Sequence, residues 1–539
     1  MEKFILNSCS HQHTKRALIV MASAFGWVYI VFIFLSKIGK DQAPSVLFPD
    51  TSTVKFSSNY AQQLRIYEQD GQVALPQQIP AKDMSAHLSI SLELEATLPQ
   101  KLVEFTAPDH DDGDLCAGKY IYMYDLPPRF NQDLIDNCST LSPWTNMCTY
   151  LLNGGFGPVM KDLDAQFPKT GWYATNQFSL EVIFHNRIKR YKCLTTDYSL
   201  ANAFFVPFYA GLDFSRYLYG FKTMVRDADS KAIARWLRNQ PGWKGMGGKD
   251  HFMVGGRVTW DFRRAGDSDD EWGNKLLFLP GIEQMTMLVL EASPWFPNDV
   301  GIPYPTYFHP KHDSEIVHWQ KRVEGSKRAA LFCFAGAPRP TIEESIRESI
   351  IHQCNRSEYC RLLEQCDYGL FNCRKPAAVM KLFEESVFCL QPPGDSLTRR
   401  SIFDSMLAGC IPVFFHQESA YSQYVWHLPK NYTSYSVFIS GDNIRRENLN
   451  IEKVLRGIPT RKIRRMREEV IRIIPEFIYA DPEHHLQTMR DAFDITVQAV
   501  LDKVKNNSRS TTQNQIEFLA AESNKNETMM RDEKLDHGQ

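Results

Sequence analysis

The stretch FCLQPPGDSLTRRSIFDSMLAGCIPVFF, from Phe388 to Phe415, decides the fold of this chain. Its first apolar residues predict a buried strand, and the Pro-Pro-Gly sequence at 392–394 predicts a tight turn after it. Ser396 or Thr398 is expected to cap a helix, and Gly409 stands where that helix ends. A second apolar strand then follows. Strand, turn, helix and strand in this order form the repeating unit of α/β layers with a parallel sheet.

The helix within this stretch is predicted to be amphipathic. At about 100° per residue, four apolar residues share the face that packs on the sheet: Ile402, Phe403, Met406 and Leu407. The other face carries polar residues: Arg400, Ser401, Asp404 and Ser405. Arg399 and Arg400 both fall in the first turn, where the helix dipole makes cations unfavourable unless an anion is bound. The two arginines therefore indicate a phosphate at this turn.

A nucleoside diphosphate suits this pattern. Its phosphates would meet the amide groups of the turn and both guanidinium groups, and Asp404 would accept hydrogen bonds from the ribose hydroxyls. The alternative is an exposed helix in which Arg400 and Asp404 form a surface pair worth about 0.3 kcal/mol. The residues of the stretch leave both interpretations open.

The rest of the body alternates apolar runs with helical patterns. Six runs are predicted to be buried strands: Tyr120–Tyr124, Ala203–Pro207, Lys275–Leu279, Ala329–Phe334, Val387–Leu390 and Ile411–Phe415. Three prolines before a charged segment place a domain boundary between Pro303 and Val323. We therefore expect two doubly wound α/β domains, residues 115–310 and 311–500, that face each other across a cleft.

Both ends of the chain differ from this body. Residues 17–36 are uncharged and long enough, at ~1.5 Å per residue, to cross a hydrocarbon layer of ~30 Å, which predicts a membrane anchor after a cytoplasmic tail at 1–16. The rival is a cleavable signal peptide, but this stretch is long and bulky and lacks a clean small-residue exit. Residues 37–114 have the composition of a stem, and residues 501–539 that of a disordered tail.

The composition excludes one class of partner and indicates a compartment. With 61 Lys and Arg against 63 Asp and Glu, the net charge is -2, so the chain offers no basic surface for nucleic acid. Five Asn-x-Ser/Thr sequons predict glycosylation on the lumenal side of a membrane: Asn137, Asn355, Asn431, Asn506 and Asn526.

Eleven of the 12 cysteines follow the predicted anchor. Four are bunched in one segment without the spacing of a zinc site: Cys354, Cys360, Cys366 and Cys373. In an oxidising lumen disulfides are expected, with at least one thiol left over because the number is odd. Cys389 and Cys410 stand in apolar runs and are predicted to be buried.

Several long motifs occur in a fixed order along the body. Besides the 388–415 stretch, they are CAGKYIYMYDLPPRFN from Cys116, GWYATNQFSLEVIFH from Gly171, DHFMVGGRVTWDFRR from Asp250, IPYPTYFHP from Ile302 and LFCFAGAPRP from Leu331. Together they resemble the exostosin-type glycosyltransferases, family 47 of the carbohydrate-active enzymes, and among them the plant xyloglucan galactosyltransferase branch. The likeness spans roughly Cys116 to Phe493.

The resemblance implies a GT-B fold, in which two Rossmann-like domains face a cleft, and an inverting transfer with no required metal or other cofactor. It places the donor nucleotide in the second domain, on seven residues: Arg347, Gly394, Ser396, Arg399, Arg400, Ser401 and Asp404. The implied reaction moves galactose from UDP-galactose to xylosyl side chains of xyloglucan, at the Golgi membrane, by a type II protein that can form complexes with other glycosyltransferases. Galacturonic acid or arabinose is the alternative sugar.

An inverting transfer needs a base that takes the proton of the acceptor hydroxyl. The Asp250 motif offers Asp250, His251 and Asp261, and Asp213 and His309 are further candidates. Sequence does not choose among them, and each has a structural hydrogen bond as the alternative role. Trp243 and Trp260 are candidates for stacking on a sugar, with a place in the core as their alternative.

Three Asp-x-Asp pairs imitate a metal-binding motif, at residues 162–164, 227–229 and 267–269. They lack a preceding strand and are interpreted as solvated loops or helix faces.

Two other interpretations compete with a transferase. A glycoside hydrolase would need two opposed carboxylates, which nothing in the sequence marks. The arginine-bearing turn also has no role in hydrolysis. A non-catalytic polysaccharide-binding or scaffold protein would tolerate loss of the donor motif.

Overall fold

The computed structural model describes residues 114–161, 170–363, 375–484 and 486–508. They form two parallel β-sheets with helices packed on them, which confirms the predicted α/β class. Within these residues, no helix combines the length and the apolar character that crossing a membrane requires. Several predicted features lie outside the described residues: the anchor at 17–36, the stem up to residue 113, the 162–164 acidic pair, Cys366, Cys373 and Asn526.

The first sheet contains six parallel strands in the order β2-β1-β3-β4-β5-β6. Their bounds are β1 Ile121–Met123, β2 Leu194–Thr195, β3 Ala203–Phe205, β4 His251–Val254, β5 Thr286–Val289 and β6 Asp299–Gly301. The central strands β3, β4 and β5 are buried along their whole length, which is why they are mostly apolar and show no alternation.

The first sheet and six helices of the described residues make up what we call the first half of the chain. These helices are α1 Gln132–Asp136, α2 Leu180–Ile188, α3 Ala210–Ser215, α4 Thr223–Arg226, α5 Ala228–Arg238 and α6 Trp243–Met246.

Lys275–Leu279 was predicted to be a strand, and this prediction is wrong. Residues Leu276–Phe278 form a 3-10 helix, and the strand of this region is the run that starts at Thr286. Both runs are short and apolar, and such runs look alike in sequence.

The second sheet contains five parallel strands in the order β11-β10-β9-β7-β8. Their bounds are β7 Ala330–Phe334, β8 Cys360–Leu362, β9 Ser386–Gln391, β10 Ile411–Phe414 and β11 Val437–Phe438. The chain runs from β7 outward to β8 and then returns to place β9 on the other side of β7. The carboxyl ends of β7 and β9 therefore flank the point where the strand order reverses, which is where open α/β sheets bind ligands.

The second half contributes α7 Asp313–Gly325, α8 Arg347–Asn355, α9 Pro376–Glu384, α10 Arg400–Leu407, α11 Gly441–Arg446, α12 Ile451–Arg456, α13 Thr460–Arg472 and α14 Ile474–Phe477. In α10 the four apolar residues that were predicted to share a face are all fully buried. The helix ends before Gly409, whose φ of +66° suits a residue without a side chain. The strand, helix and strand predicted for 388–415 are confirmed.

The last helix, α15 at residues 492–508, packs against the first half of the chain. Phe493 contacts Phe184 of α2 with 4.9 Å between ring centroids, and Asp491 pairs with Arg187 at 2.9 Å in a buried site. The disordered tail was predicted to begin at residue 501. That boundary is too early, because residues 501–508 belong to this helix and bury apolar side chains.

Four disulfides occur in the described residues: Cys116–Cys193, Cys138–Cys148, Cys354–Cys360 and Cys389–Cys410. The predicted burial of Cys389 and Cys410 is confirmed, and their bond to each other is an addition to it. Cys333 is the free thiol among the described cysteines, and it is fully buried.

Candidate functional site

The turn after β9 and the loop after β7 lie together at the reversal point of the second sheet. Arg347, at the start of α8, joins them: its Nε donates to Pro393 O at 2.9 Å and its Nη1 donates to Ala337 O at 3.1 Å. The side chain is 1% exposed, yet its Nη2 has no hydrogen-bond partner in the described structure. A buried guanidinium with an unused donor is well suited to an anion.

Arg399 brings a second guanidinium to the same point. A Cβ on Gly394 would lie 2.4 Å from Arg399 Nη1 and 2.6 Å from Arg347 Nη2, so both groups occupy the space that a side chain would fill. Burial and the nearby Arg339 lower the pKa of Arg399 to about 10. Three arginines that repel one another around a glycine turn favour a bound polyanion.

The amino end of α10 is open at this turn. Arg399 takes the N-cap position in extended conformation, and no side chain caps the helix. The prediction that Ser396 or Thr398 caps it is wrong, because their hydroxyls are used elsewhere. Ser396 Oγ donates to Thr398 O at 3.2 Å. Thr398 Oγ1 donates to the carboxylate of Glu291, which belongs to the first half of the chain. The free amide groups add to the positive potential of the turn.

Arg400 and Asp404 form the pair that one interpretation predicted, but the pair is buried rather than exposed. Their Nε to Oδ2 distance is 3.0 Å, and their side chains are 11% and 3% exposed. Arg400 Nη1 also donates to Thr175 O, and its guanidinium stacks on Tyr307 at 3.7 Å from the ring centroid. Arg400 thus fixes α10 to the first half of the chain, and its part in donor binding stays a prediction.

Two polar residues of α10 complete the wall of the turn. Ser401 Oγ donates to Gln391 Oε1 at 2.6 Å, which ties the helix to the end of β9. Burial raises the pKa of Asp404 to about 6, and its Oδ1 has no hydrogen-bond partner among the described residues. The predicted contact of Asp404 with a ribose is not tested by this geometry.

Glu291 faces the donor turn from the first half of the chain. It lies two residues after the end of β5 and is 4% exposed. Its Oε2 accepts from Thr398 N at 2.7 Å and from Thr398 Oγ1 at 2.8 Å. Tyr304 lies on the other side of Thr398, with 3.1 Å between the two hydroxyl oxygens. Burial outweighs these hydrogen bonds and raises the pKa of Glu291 to about 7. A carboxylate with such a pKa is suited to accept a proton near neutral pH.

A second carboxylate, Glu181 of α2, lies at the same edge of the first sheet. It accepts from Gly211 N at 2.6 Å and from Leu212 N at 3.0 Å, and so holds the start of α3. A Cβ on Gly256 would lie 2.7 Å from Glu181 Cγ, which explains the glycine at this position after β4. Burial raises the pKa of Glu181 well above its usual value.

Asp250 and His251 are placed away from this turn. They lie at the amino end of β4, whereas Glu291 follows the carboxyl end of β5. His251 is fully buried between Asp250 Oδ1 at 2.7 Å and Tyr124 Oη at 2.8 Å, and it stacks on Phe204. This placement favours a structural role for both residues.

The other three candidate bases are also engaged. Asp261 accepts from Arg257 Nε and from Trp272 Nε1, so both of its oxygens are occupied. His309 lies between Thr175 Oγ1 at 2.8 Å and Tyr479 O at 2.7 Å, and burial lowers its pKa to about 3. Asp213 pairs with Arg216, and burial raises its pKa to about 7.

The two acidic pairs in the described residues differ from each other. Asp227 is 1% exposed and is bound by Arg264 Nη2 at 2.7 Å, so its interpretation as a solvated residue was wrong. Asp267 and Asp269 are exposed, as predicted. The sequon residues Asn137, Asn355, Asn431 and Asn506 are all exposed.

Sequence reasoning missed Glu181, Glu291 and Arg339. The signal for Glu291 was present, because a carboxylate directly follows the apolar run TMLVL at residues 286–290. Assigning the strand to residues 275–279 instead concealed it. Glu181 and Arg339 carry no such local signal, since a helix face and a loop are ordinary places for charged residues.

The fold and the turn define a class of protein: an α/β enzyme with an anion pocket in one half and a buried carboxylate that reaches it from the other. The family model described as Exostosin GT47 domain matches residues 115–455. The chain therefore belongs to the exostosin GT47 family of glycosyltransferases.

Curated relatives agree with the family. Xyloglucan galactosyltransferase MUR3 of Arabidopsis thaliana is 56% identical over 405 residues, which are 75% of this chain and 65% of the relative. The chain thus spans just under two thirds of that protein. Probable xyloglucan galactosyltransferase GT14 of the same organism is 52% identical, with 74% of this chain and 77% of the relative covered. Xyloglucan-specific galacturonosyltransferase 1, also from Arabidopsis thaliana, is 42% identical, with 72% and 58% covered.

Proposed function

We propose that this glycosyltransferase moves galactose from UDP-galactose to xylosyl side chains of xyloglucan, with inversion at the anomeric carbon. The observation that carries the proposal is the convergence of Arg347 and Arg399 on Gly394 at the reversal point of the second sheet. The names of the two relatives that are 56% and 52% identical support galactose and xyloglucan.

The arginines supply what the leaving group needs. When the glycosidic bond to UDP breaks, negative charge develops on the diphosphate, and preorganised donors stabilise that charge most strongly where water is excluded. Arg347 is held by two backbone carbonyls, so its unused Nη2 is fixed before the donor binds. Because guanidinium groups provide this charge, we propose that no metal ion is required.

For the base we propose Glu291. It reaches the donor turn from the opposite half, and a pKa of about 7 lets it accept the proton of the acceptor hydroxyl. The reaction then proceeds by direct attack of the acceptor oxygen on the anomeric carbon, from the side opposite the diphosphate.

We further propose that the two sheets act as the two domains of a GT-B enzyme, and that residues 17–36 anchor it in the Golgi membrane with the body in the lumen. Exposed sequons and four disulfides in the described residues support an oxidising, glycosylating compartment. Protease protection of intact vesicles, followed by detergent, tests this orientation.

A donor panel tests the reaction itself. The purified lumenal body is incubated with xyloglucan oligosaccharides and with UDP-galactose, UDP-galacturonic acid or UDP-arabinose, with and without EDTA. The proposal expects transfer from UDP-galactose, a β-linked product by NMR and no loss of rate in EDTA. Transfer of galacturonic acid instead would place the protein with its 42% identical relative. Failure of every sugar would reject the proposal.

A further inference from the structure

Four aromatic side chains from separate segments form a continuous series of ring contacts at the surface of the first half of the chain. In order they are Trp144, Tyr219, Trp272 and Trp260, with 5.5, 5.7 and 6.1 Å between successive ring centroids. Successive members are 12 to 75 positions apart in sequence, so the fold brings them together. We call this set the aromatic line.

The rings of the aromatic line are held in place by groups beneath them. Trp272 Nε1 donates to Asp261 Oδ1 at 2.6 Å, and Phe214 contacts the Trp272 ring edge-on at 5.6 Å. Trp144 lies in the loop that the Cys138–Cys148 disulfide closes. Rings that are fixed in advance lose little entropy when a ligand covers them.

Tyr219 and Trp272 pack with one side on the core of the first half, and the aromatic line keeps exposed surface on its outer side. The Trp144 side chain is 63% exposed, and the other three rings are partly exposed. Phe221, two residues after Tyr219, adds another apolar surface at 42% exposure. Apolar side chains grouped on the surface mark a binding site more often than they mark packing.

The Trp260 end of the aromatic line lies beside the donor turn. Thr259, the residue before Trp260, donates its backbone N–H to Glu291 O at 3.0 Å. Glu291 in turn accepts from Thr398 of that turn at 2.7 and 2.8 Å. Trp260 therefore belongs to the segment that borders the donor turn, and Trp144 lies at the other end of the line.

Successive rings of the line meet at 73°, 63° and 43°, so they offer a stepped apolar surface that suits a long ligand without net charge. Ring faces of Trp and Tyr offer apolar contact area and no charge, and the polar edge of Tyr remains available for hydrogen bonds. A β-linked glucan chain has apolar C–H faces and hydroxyl edges that match such a surface. A peptide partner would not need the surface to continue into the donor pocket.

We propose that the aromatic line holds the glucan backbone of the acceptor, so that a side-chain sugar reaches the donor turn. This inference rests on the proposed function, and it adds a site to it: acceptor affinity resides on Trp144, Tyr219, Trp272 and Trp260, apart from the arginine pocket. The site takes a neutral β-glucan with its branches.

The test uses Trp144→Ala, Tyr219→Ala and the double variant in the lumenal body. Tyr359→Ala is the matched control, because Tyr359 is 45% exposed and precedes β8 on the second sheet, away from the line. The KM for a xyloglucan oligosaccharide should rise about 5- to 10-fold for each ring removed, as expected for lost stacking contacts. The KM for UDP-galactose and the affinity for UDP should stay within about 2-fold in Trp144→Ala. The control should match the wild type.

A second measurement keeps the two proposals apart. Retardation of the protein in native gels that contain xyloglucan reports acceptor binding without catalysis, and the variants should lose it. Unchanged acceptor KM and unchanged retardation in an active double variant would overturn the aromatic line and leave the proposed function standing. If the wild type transfers no sugar, the proposed function fails, and the gel result alone decides on the line. Loss of self-association with intact retardation would assign the surface to a second copy and overturn the inference.

Discussion

Glu291 binds Thr398 through two hydrogen bonds to one oxygen, from the backbone N–H at 2.7 Å and from the hydroxyl at 2.8 Å. The segment around Glu291 is fixed from both sides. Tyr424 Oη donates to Leu290 O at 2.9 Å, and Ala292 N donates to Gln423 Oε1 at 2.7 Å. The carboxylate is therefore held against the donor turn by three consecutive residues, which gives it the geometry of a positioned base rather than of a surface acid.

The first prediction is that Glu291→Gln removes transfer and keeps the fold. The amide oxygen of Gln still accepts from Thr398, so the contact between the halves persists, but the side chain no longer accepts a proton. We expect kcat to fall at least about 100-fold, the usual range for loss of a general base. UDP affinity, measured by calorimetry, should stay within about 2-fold.

Asp261→Asn is the control for this experiment, because Asp261 was a sequence-based candidate whose two oxygens are occupied. It should disturb Trp272 and thus acceptor KM more than kcat. A kcat near that of the wild type in Glu291→Gln would exclude Glu291 as the base and leave it a role in positioning Thr398.

The second prediction concerns the anion pocket. Arg347→Lys keeps a positive charge but loses the planar fork that joins two carbonyls and leaves Nη2 free. We expect the affinity for UDP to fall about 10- to 100-fold, as for a lost charge-assisted hydrogen bond. The affinity for UMP should fall less, since UMP lacks the second phosphate.

Arg446→Ala, at an exposed position at the end of α11, is the matched control and should bind UDP as the wild type does. Equal losses for UDP and UMP in Arg347→Lys would contradict a diphosphate pocket. A circular dichroism spectrum identical to the wild type is needed before the affinities are compared.

Local signals explain which parts of the fold could be predicted. The 388–415 stretch holds its turn, helix stop and apolar faces within 28 residues, so propensity and periodicity locate the elements. The run at 275–279 was misleading because its apolar residues form a 3-10 helix. Nothing in a short apolar run distinguishes the two outcomes without tertiary contacts.

The site could be predicted only where it is local. Arg399 and Gly394 were identified from the turn, but the partner of Thr398 is 107 positions away and the carbonyl bound by Arg400 is 225 positions away. Such contacts depend on how the two sheets face each other, which no sequence window contains. For the same reason Asp250 and His251 were considered as the base, although their partners are structural.

The third prediction concerns pH. The pKa of Glu291 is about 7 in the folded protein and 4.5 in its usual state, so the folded protein keeps a proton that the unfolded chain releases. The contribution of Glu291 to stability is therefore largest below pH 4.5, decreases as the pH rises to about 7, and is constant above. Glu291→Gln has no such dependence.

The thermal midpoint of Glu291→Gln should thus improve relative to the wild type as the pH rises from 5 to 7.5, by an amount on the order of 2 kcal/mol in stability. Comparing the two proteins at each pH removes the opposite effect of buried His309, which is shared by both. A difference that is independent of pH would show that Glu291 titrates normally.

The last prediction concerns Arg400 and Asp404, for which sequence left two roles open. Arg400→Ala removes the bond to Thr175 and the stacking on Tyr307, and leaves Asp404 as a buried charge without its partner. We expect a loss of about 3 kcal/mol in stability, because breaking one side of a buried pair costs more than the pair contributes. Arg400→Ala/Asp404→Ala should be more stable than Arg400→Ala alone, since the unpaired charge is gone. Chemical denaturation of the wild type, both single variants and the double variant measures this coupling. UDP calorimetry on the same four proteins then separates the two roles: a structural pair leaves the affinity nearly unchanged in the double variant, whereas a donor contact lowers it even where stability is regained.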